Sequence, residues 1–511
     1  MLVKTLTGVI VGIRAVRVDV EADISAGMFS YTIVGLPGSS VKESRDRIKT
    51  AMVNSGFLFP GRKTTVNLAP ADLRKEGSFL DLPVATALLA ASGQVEREKL
   101  NQFLITGELS LDGSIKPVRG IVSLASLTKR LKLRGILIPE KNFHLASLIS
   151  GIEIIPVASL HELAEFLNNG KIPRGSGERR KEEETGRKSK TDMRDVVGQD
   201  RAKRAIEIAA TGGHNIILIG PPGTGKTMLA ERMNTIIPPP GEKELIEINE
   251  IYSIARNVGT RKILTCRPFR SPHHSISYAG MLGGGNPPFP GEVTLSHNGI
   301  LFLDEFPEFR RDVVEALRQP LESGEVLITR AKYSIPFPAR FSLVATSNPC
   351  GCGNFGYPGK LCLCRPQDIL KYRKKLHGPV MDRIDIQVDM PPPSPLCIIE
   401  SSQVKETSSE EITLRVTSAR DLQRKTLSHY GISLNSLIPA DAIEEVVRLS
   451  HEGKQLLLHA AEKFHLTARS LHRVMRIGRT IADLDESGRV EPHHLAEALQ
   501  YRILDRRGGD I

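Results

Sequence analysis

The apolar and polar positions of this chain fall into distinct textures. From residue 1 to about 168, short β-type runs (Tyr31-Thr32-Ile33-Val34, Thr64 to Leu68, Gly135 to Ile138) alternate with helical stretches such as Val84 to Ser92. That mixture predicts an α/β or α+β domain. Val16 to Glu21 alternates as a half-buried strand does, not as a signal peptide. Residues 171–192 are polar and charged, without apolar period, and predict a linker. Further on, Ile216 to Ile219 and Ile300 to Leu303 are apolar throughout, the mark of parallel strands buried on both faces, and Phe341 to Ser347 predicts a third strand. Glu325 to Arg330 and Tyr333 to Phe337 flank Ala331-Lys332 as a hairpin would. After Pro391-Pro392-Pro393 the pattern of residues 411–505 is helical, as in Leu456 to Ala461 and Ser470 to Ile481.

The residues just past each apolar run carry the chemistry. Ile216 to Ile219 leads into Gly220-Pro221-Pro222-Gly223-Thr224-Gly225-Lys226-Thr227 and then into the helical Met228 to Met233. Strand, G-x-x-x-x-G-K-T loop and helix form a phosphate-binding unit, because glycines turn backbone N–H groups onto phosphate oxygens at a helix N-terminus. Lys226 is expected on the β- and γ-phosphates of ATP and the Thr227 hydroxyl on Mg²⁺. Ile300 to Leu303 ends in two carboxylates. Asp304 is expected to hold the hydrated Mg²⁺ and Glu305 to polarise the attacking water. Val197-Gly198-Gln199, ahead of the amphipathic stretch Ala202 to Ala210, either flanks the adenine base or caps a helix.

Composition narrows the setting. The chain has 511 residues, enough for about three domains. Its formal charge of +11 permits an anionic polymer as partner without requiring one. No apolar run is long enough for a bilayer, and a cytoplasmic location is expected. Four of the six cysteines crowd into Cys350, Cys352, Cys362 and Cys364. Four thiolates suit a tetrahedral structural Zn²⁺, with reduced free thiols as the alternative.

Gly35-Leu36-Pro37-Gly38, Asn67 to Gly77 and Gly107 to Gly113 resemble the N-terminal domain of the YifB/ComM family of magnesium-chelatase-like AAA+ ATPases, and the resemblance extends from about Gly8 to Leu504. It implies an α/β fold: a P-loop AAA+ module with a helical lid, preceded by an α+β domain similar to Lon protease and ribosomal S5. The expected boundaries are 1–170 for the first domain, 171–192 for the linker, 193–392 for the ATPase core and 393–511 for the lid. Phe79 stands where Lon-like enzymes carry serine, with Ser78 adjacent, and Arg119 to Val122 lacks the lysine that would activate it, so protease activity is not expected. The resemblance further implies that Asn348 is a polar sensor of the γ-phosphate, that Arg383 is an arginine finger reaching a neighbouring subunit, and that Arg469 contacts the γ-phosphate. It implies a ring, a hexamer. The Pro-, Gly- and His-rich block 238–297 would project into the ring's pore, making Arg267, Arg270, His273 and His274 candidate DNA contacts. A metal shared by the two histidines is disfavoured if they face opposite ways on an extended strand. Arg330 and Lys332 at the hairpin tip are the other candidates for DNA phosphates.

The function implied is an ATP-driven ring motor on single-stranded or branched DNA, promoting branch migration in recombination during natural transformation. Two rivals stand beside it: a magnesium-chelatase-like ATPase remodelling a protein or metal-handling partner, and a Lon-like protease or unfoldase. The chain has no D-x-S-x-S motif of the chelatase partner.

Overall fold

The computed structural model describes residues 2–171, 191–255, 263–285, 288–330, 333–356, 360–376, 378–392 and 406–502. The chain forms two compact units, one of residues 1–186 with 241–265, the other of residues 187–240 with 266–511. Most of the expected linker, and the Ala331-Lys332 hairpin tip, lie outside the described residues.

The first unit holds a seven-stranded mixed sheet. From one edge to the other its strands are Ser30–Val34, Lys63–Ala69, Arg14–Ser25, Leu2–Val11, Phe103–Ile105, Gly135–Pro139 and Glu153–Val157. Leu2–Val11 and Arg14–Ser25 pair antiparallel, whereas Phe103–Ile105, Gly135–Pro139 and Glu153–Val157 run parallel. Against the sheet lies the helix Asp81–Ala91, every residue of which is buried. Its first residue is a carboxylate held by two Arg47 hydrogen bonds of 2.9 and 3.0 Å. Burial nonetheless pushes the Asp81 carboxyl up to about 6, because desolvation outweighs the guanidinium. The helix Glu242–Ile254 belongs to this unit, with Ser253 O accepting from Gly120 N at 2.9 Å.

The second unit is built on a five-stranded parallel sheet in the order Phe269–Arg270, Gly299–Leu303, Phe341–Ser347, Ile216–Ile219, Ile386–Asp389. Strands of a parallel sheet need crossovers, and the helix Lys226–Ile236 lies in the first of them, while Asp200–Gly212 leads into the first strand. Ile216, Leu218, Ile300, Phe302, Val344, Ile386 and Val388 share one core with Leu229 and Met233 of the helix after the phosphate loop. That core continues into the C-terminal helices Ser409–Leu427, His451–Phe464, Ala468–Leu484 and Pro492–Gln500. Glu325–Arg330 and Tyr333–Pro338 form the antiparallel hairpin expected from the sequence. Among the described residues, no helix is long and apolar enough to cross a membrane.

Replacing Arg47 with Met removes the guanidinium hydrogen-bonded to buried Asp81. The expected loss for the first unit is about 3 kcal/mol, since a buried carboxylate without its partner is costly. Denaturant unfolding followed within that unit checks it, with an unchanged midpoint as the contrary result.

Candidate nucleotide and metal sites

The phosphate loop is fixed by close backbone approaches. A side chain at Gly220 would collide with Met390 O, and Gly220 N donates to Ser347 O at 3.1 Å. Gly223 and Gly225 have φ of 83° and 85°, values that glycine adopts without strain. Gly225 caps the helix Lys226–Ile236, so the loop's N–H groups and the positive end of the helix face one place.

Four residues singled out in the sequence meet there. Lys226 Nζ donates to Gly220 O at 2.6 Å, Pro221 O at 2.7 Å and Asn348 Oδ1 at 3.2 Å. Burial pulls its ammonium down to about 8, against the opposing pull of Asp304 and Glu305. Thr227 Oγ1 donates to Asp304 Oδ2 at 3.1 Å, which sets two oxygen donors of the kind Mg²⁺ takes beside the loop. Glu305 has the left-handed φ of 52°, uncommon outside glycine, and its side chain is exposed.

Two further residues were not singled out from the sequence. Thr346 Oγ1 donates to Asp304 Oδ1 at 2.5 Å and accepts from Glu305 N at 3.0 Å, so one hydroxyl orients both carboxylate residues. The sequence signal was a threonine just after the apolar Leu343-Val344-Ala345 of the strand. The Tyr372 hydroxyl is hydrogen-bonded to the Ser347 side chain and the Asn348 backbone, and burial raises its pKa.

Arg383 and Arg469 come together elsewhere, on Glu322. Arg383 donates to the Glu322 carboxylate and to Pro379 O, with its side chain only 8% exposed. Arg469 Nη2 lies 3.6 Å from the same Glu322 oxygen and is well exposed. The sequence neighbours Asp382 and Asp385 do not take that place. Asp385 instead meets His214 at 3.5 Å and, on the helix Ala468–Leu484, Arg473 at 3.5 Å. Burial alone would raise the Asp385 carboxyl, but His214, Arg473 and Arg476 outweigh it and hold it low.

The candidate DNA contacts separate. Arg267 is buried and donates to Pro238 O at 2.7 Å and Asn298 O at 2.8 Å, which makes it a brace of the loop. Arg270 is bound through two nitrogens to Glu292, at 2.6 and 2.7 Å. His273 and His274 do not face opposite ways. The chain turns at this point, and the rings sit 4.1 Å apart. The Arg330 side chain and Lys332 lie outside the described residues.

Cys350, Cys352, Cys362 and Cys364 converge with all four sulfurs within 4.8 Å of one another. The Cys350–Cys352, Cys352–Cys362 and Cys350–Cys362 separations are 3.4, 3.6 and 3.8 Å. Four sulfurs 2.3 Å from one tetrahedral ion would lie about 3.8 Å apart, so the set fits Zn²⁺. Backbone N–H groups of Asn354 and Leu363 hold the Cys352 thiol down at about 6, whereas Cys362, despite the N–H of Cys364, is pushed up to about 12 by burial and its neighbouring thiols. One thiolate suppresses ionisation of the next, and a dication removes that conflict.

Asp485, His493 and His494 also lie within 4.8 Å of one another. His494 Nδ1 accepts from Glu491 N at 2.9 Å, which leaves the ring proton on Nε2, the atom 3.4 Å from Asp485. A neutral ring so bonded offers no lone pair to a metal there. In the first unit Ser78 donates to the Glu108 carboxylate, and Lys75 Nζ to Pro70 O, so no Ser-Lys pair is formed between them.

A phosphate loop, a carboxylate-ended strand and an amide-ended strand on one parallel sheet define a P-loop ATPase module of the AAA+ type. Family models agree along the chain: "Magnesium chelatase, subunit ChlI" matches residues 192–396, "Subunit ChlI of Mg-chelatase" residues 20–142, and the ChlI C-terminal model residues 406–502. The chain is 41% identical to the YifB protein of Escherichia coli K12 over 97% of this chain and 96% of that one. It is 40% identical to the competence protein ComM of Haemophilus influenzae, again over 97% and 96%. A more distant likeness, 27% over 61% of this chain and 36% of the other, links it to the maternal DNA replication licensing factor mcm6 of Xenopus tropicalis. The chain belongs to the YifB/ComM family of Mg-chelatase ChlI-like AAA+ proteins, and membership implies ATP hydrolysis.

As the expected phosphate-binding group, Lys226 would act only while charged, so ATP affinity is expected to fall as pH is raised through about 8. Lys226→Arg keeps its charge, and its affinity, whatever its level, is expected to stay flat across that range. Titration calorimetry with Mg·ATP decides, and parallel curves would remove Lys226 as the titrating group.

Proposed function

We propose that this chain is a ring-forming, ATP-driven motor on single-stranded or branched DNA that promotes branch migration. The observation that carries the reading is the separation of two phosphate-recognising sets. Lys226, Thr227, Asp304 and Asn348 converge at the loop, while Arg383 and Arg469 converge on Glu322. A set of arginines held apart from the loop suits a nucleotide bound by a second copy, and such head-to-tail contacts close into rings. In this reading Lys226 holds the β- and γ-phosphates, and Thr227 and Asp304 hold Mg²⁺. Glu305 polarises water, Asn348 orients it, and Arg383 and Arg469 offset charge on the transferred group. The four cysteines hold Zn²⁺.

DNA as the substrate is supported by kinship with the competence protein ComM and the licensing factor, and by the +11 charge. His273, His274, Arg330 and Lys332 remain the candidate contacts, whereas Arg267 and Arg270 already have protein partners. A second reading, remodelling of a protein or metal-handling partner, is favoured by the magnesium chelatase models.

ATP turnover without DNA and with single-stranded, duplex and four-way-junction DNA separates the two. The expected result is stimulation by junctions, with Glu305→Gln as the inactive control. Intact turnover indifferent to every DNA would favour the protein partner.

Arg383→Ala is expected to lower kcat by roughly 10³-fold. Equimolar Arg383→Ala and Lys226→Ala chains, each inactive alone, should regain turnover on mixing, since some neighbours then combine an intact loop with an intact arginine. No recovery would place Arg383 on its own subunit's nucleotide or outside the reaction.

A further inference from the structure

The four-cysteine loop is packed into the nucleotide site, beginning and ending there. It opens two residues after Asn348, whose amide accepts from Lys226, and Cys350 is fully buried. Gly353 then turns with φ 80° against the phosphate loop, where a Cβ would lie 2.6 Å from Pro222 Cδ and 2.9 Å from Pro222 Cγ. Gly353 N donates to Cys350 O at 3.0 Å, so this contact is bonded to the first cysteine. Beyond Cys364 the chain enters the helix Pro366–Lys374, and Tyr372 on that helix returns to Ser347 and the Asn348 backbone. Arg373 of the same helix lies over the Phe355 ring, 4.7 Å from its centre, tying the helix back to the loop.

We infer that the four-cysteine module is a positioning element for the nucleotide: with Zn²⁺ bound, it holds Gly353 against Pro222 and Asn348 against Lys226, and without the metal both supports relax. The inference rests on the zinc assignment. Its physical basis is the weakness of the alternative. The sequence from Cys350 to Cys364 contains five glycines and prolines, and its described residues form no strand or helix, so metal bonds are what give it shape. A loop of that kind lacking its cross-link cannot keep a wall in place. Gly353 is the point of transmission, because any side chain there would push Pro222 and with it the backbone N–H groups of the phosphate loop.

The test uses the full chain, elemental analysis for zinc and titration with Mg·ATP. Cys352→Ser is expected to lose zinc and to weaken ATP binding by roughly tenfold or more, the equivalent of about 1.4 kcal/mol. Gly353→Val is expected to keep its zinc and to weaken binding comparably. As a control on folding, chelation of the wild type followed by added Zn²⁺ should weaken and then restore binding in the same sample. A metal-free Cys352→Ser chain, or chelated wild type, with unchanged ATP affinity would overturn the inference while leaving the zinc assignment intact. Wild-type affinity in Gly353→Val would overturn the contact as the route. Protein that neither contains zinc nor takes it up would overturn the zinc assignment itself.

Discussion

One buried ammonium group holds the nucleotide site together. Lys226 is 9% exposed, and its charge is solvated by two loop carbonyls and the Asn348 amide instead of water. A cation so placed must have oxygen partners, since desolvation disfavours its charged form, and its depressed pKa records the part not repaid. The constraint propagates. To reach those oxygens, the Ile216–Ile219 and Phe341–Ser347 strands must end level, as their parallel register from Ile216 opposite Val344 to Ile219 opposite Ser347 ensures. The next strand over, Gly299–Leu303, then delivers Asp304 to Thr227 and to Thr346.

The sheet and this cluster were legible in the sequence because parallel strands buried on both faces need unbroken apolar runs, and catalytic groups sit where those runs stop. Gly220 to Thr227 and Asp304 could be found by reading to the end of an apolar run, whereas Asn348 was singled out through the family resemblance. The fully buried helix Asp81–Ala91 was legible for the same reason, although its onset at a buried carboxylate was not. Other features depend on partners far away in the chain. Nothing local marks Glu322 as the common partner of Arg383 and Arg469, or Pro222 as the neighbour of Gly353. Arg267 and Arg270, candidate DNA contacts through the family resemblance, have protein partners that the sequence does not mark. An arginine in a Pro- and Gly-rich block looks available, yet such blocks have carbonyls unpaired by regular structure, and Arg267 satisfies two of them. The chain's return from Gly241 to Thr265 into the first unit reflects the fit of the helix Glu242–Ile254 there, which its own periodicity does not declare.

The helix Ala468–Leu484 shows how one element serves several ends. Arg469, Arg473, Arg476 and Thr480 recur at helical spacing along Ala468–Leu484 and so share a face. That face binds Glu322, then Asp385, then the Ile438 carbonyl and His214. Asp385 comes two residues after Arg383, so the segment carrying Arg383 is tied to this helix twice, directly through Asp385 and through the shared Glu322.

The exposure of the three groups on Glu322 explains why such a cluster suits phosphate exchange. The Arg383 side chain is 8% exposed and cannot stand without an anion, whereas Glu322 is 51% and Arg469 67% exposed. The exposed pair between Glu322 and Arg469 opens at little cost, since ion pairs in solvent contribute about 0–1 kcal/mol, whereas buried Arg383 leaves Glu322 only for another anion. A polyphosphate offers the same two guanidiniums more charge and bidentate geometry. Under the proposed ring, Glu322 thus keeps the arginines paired and oriented until a second copy presents its nucleotide, whose phosphates supply the anion that replaces it on Arg383.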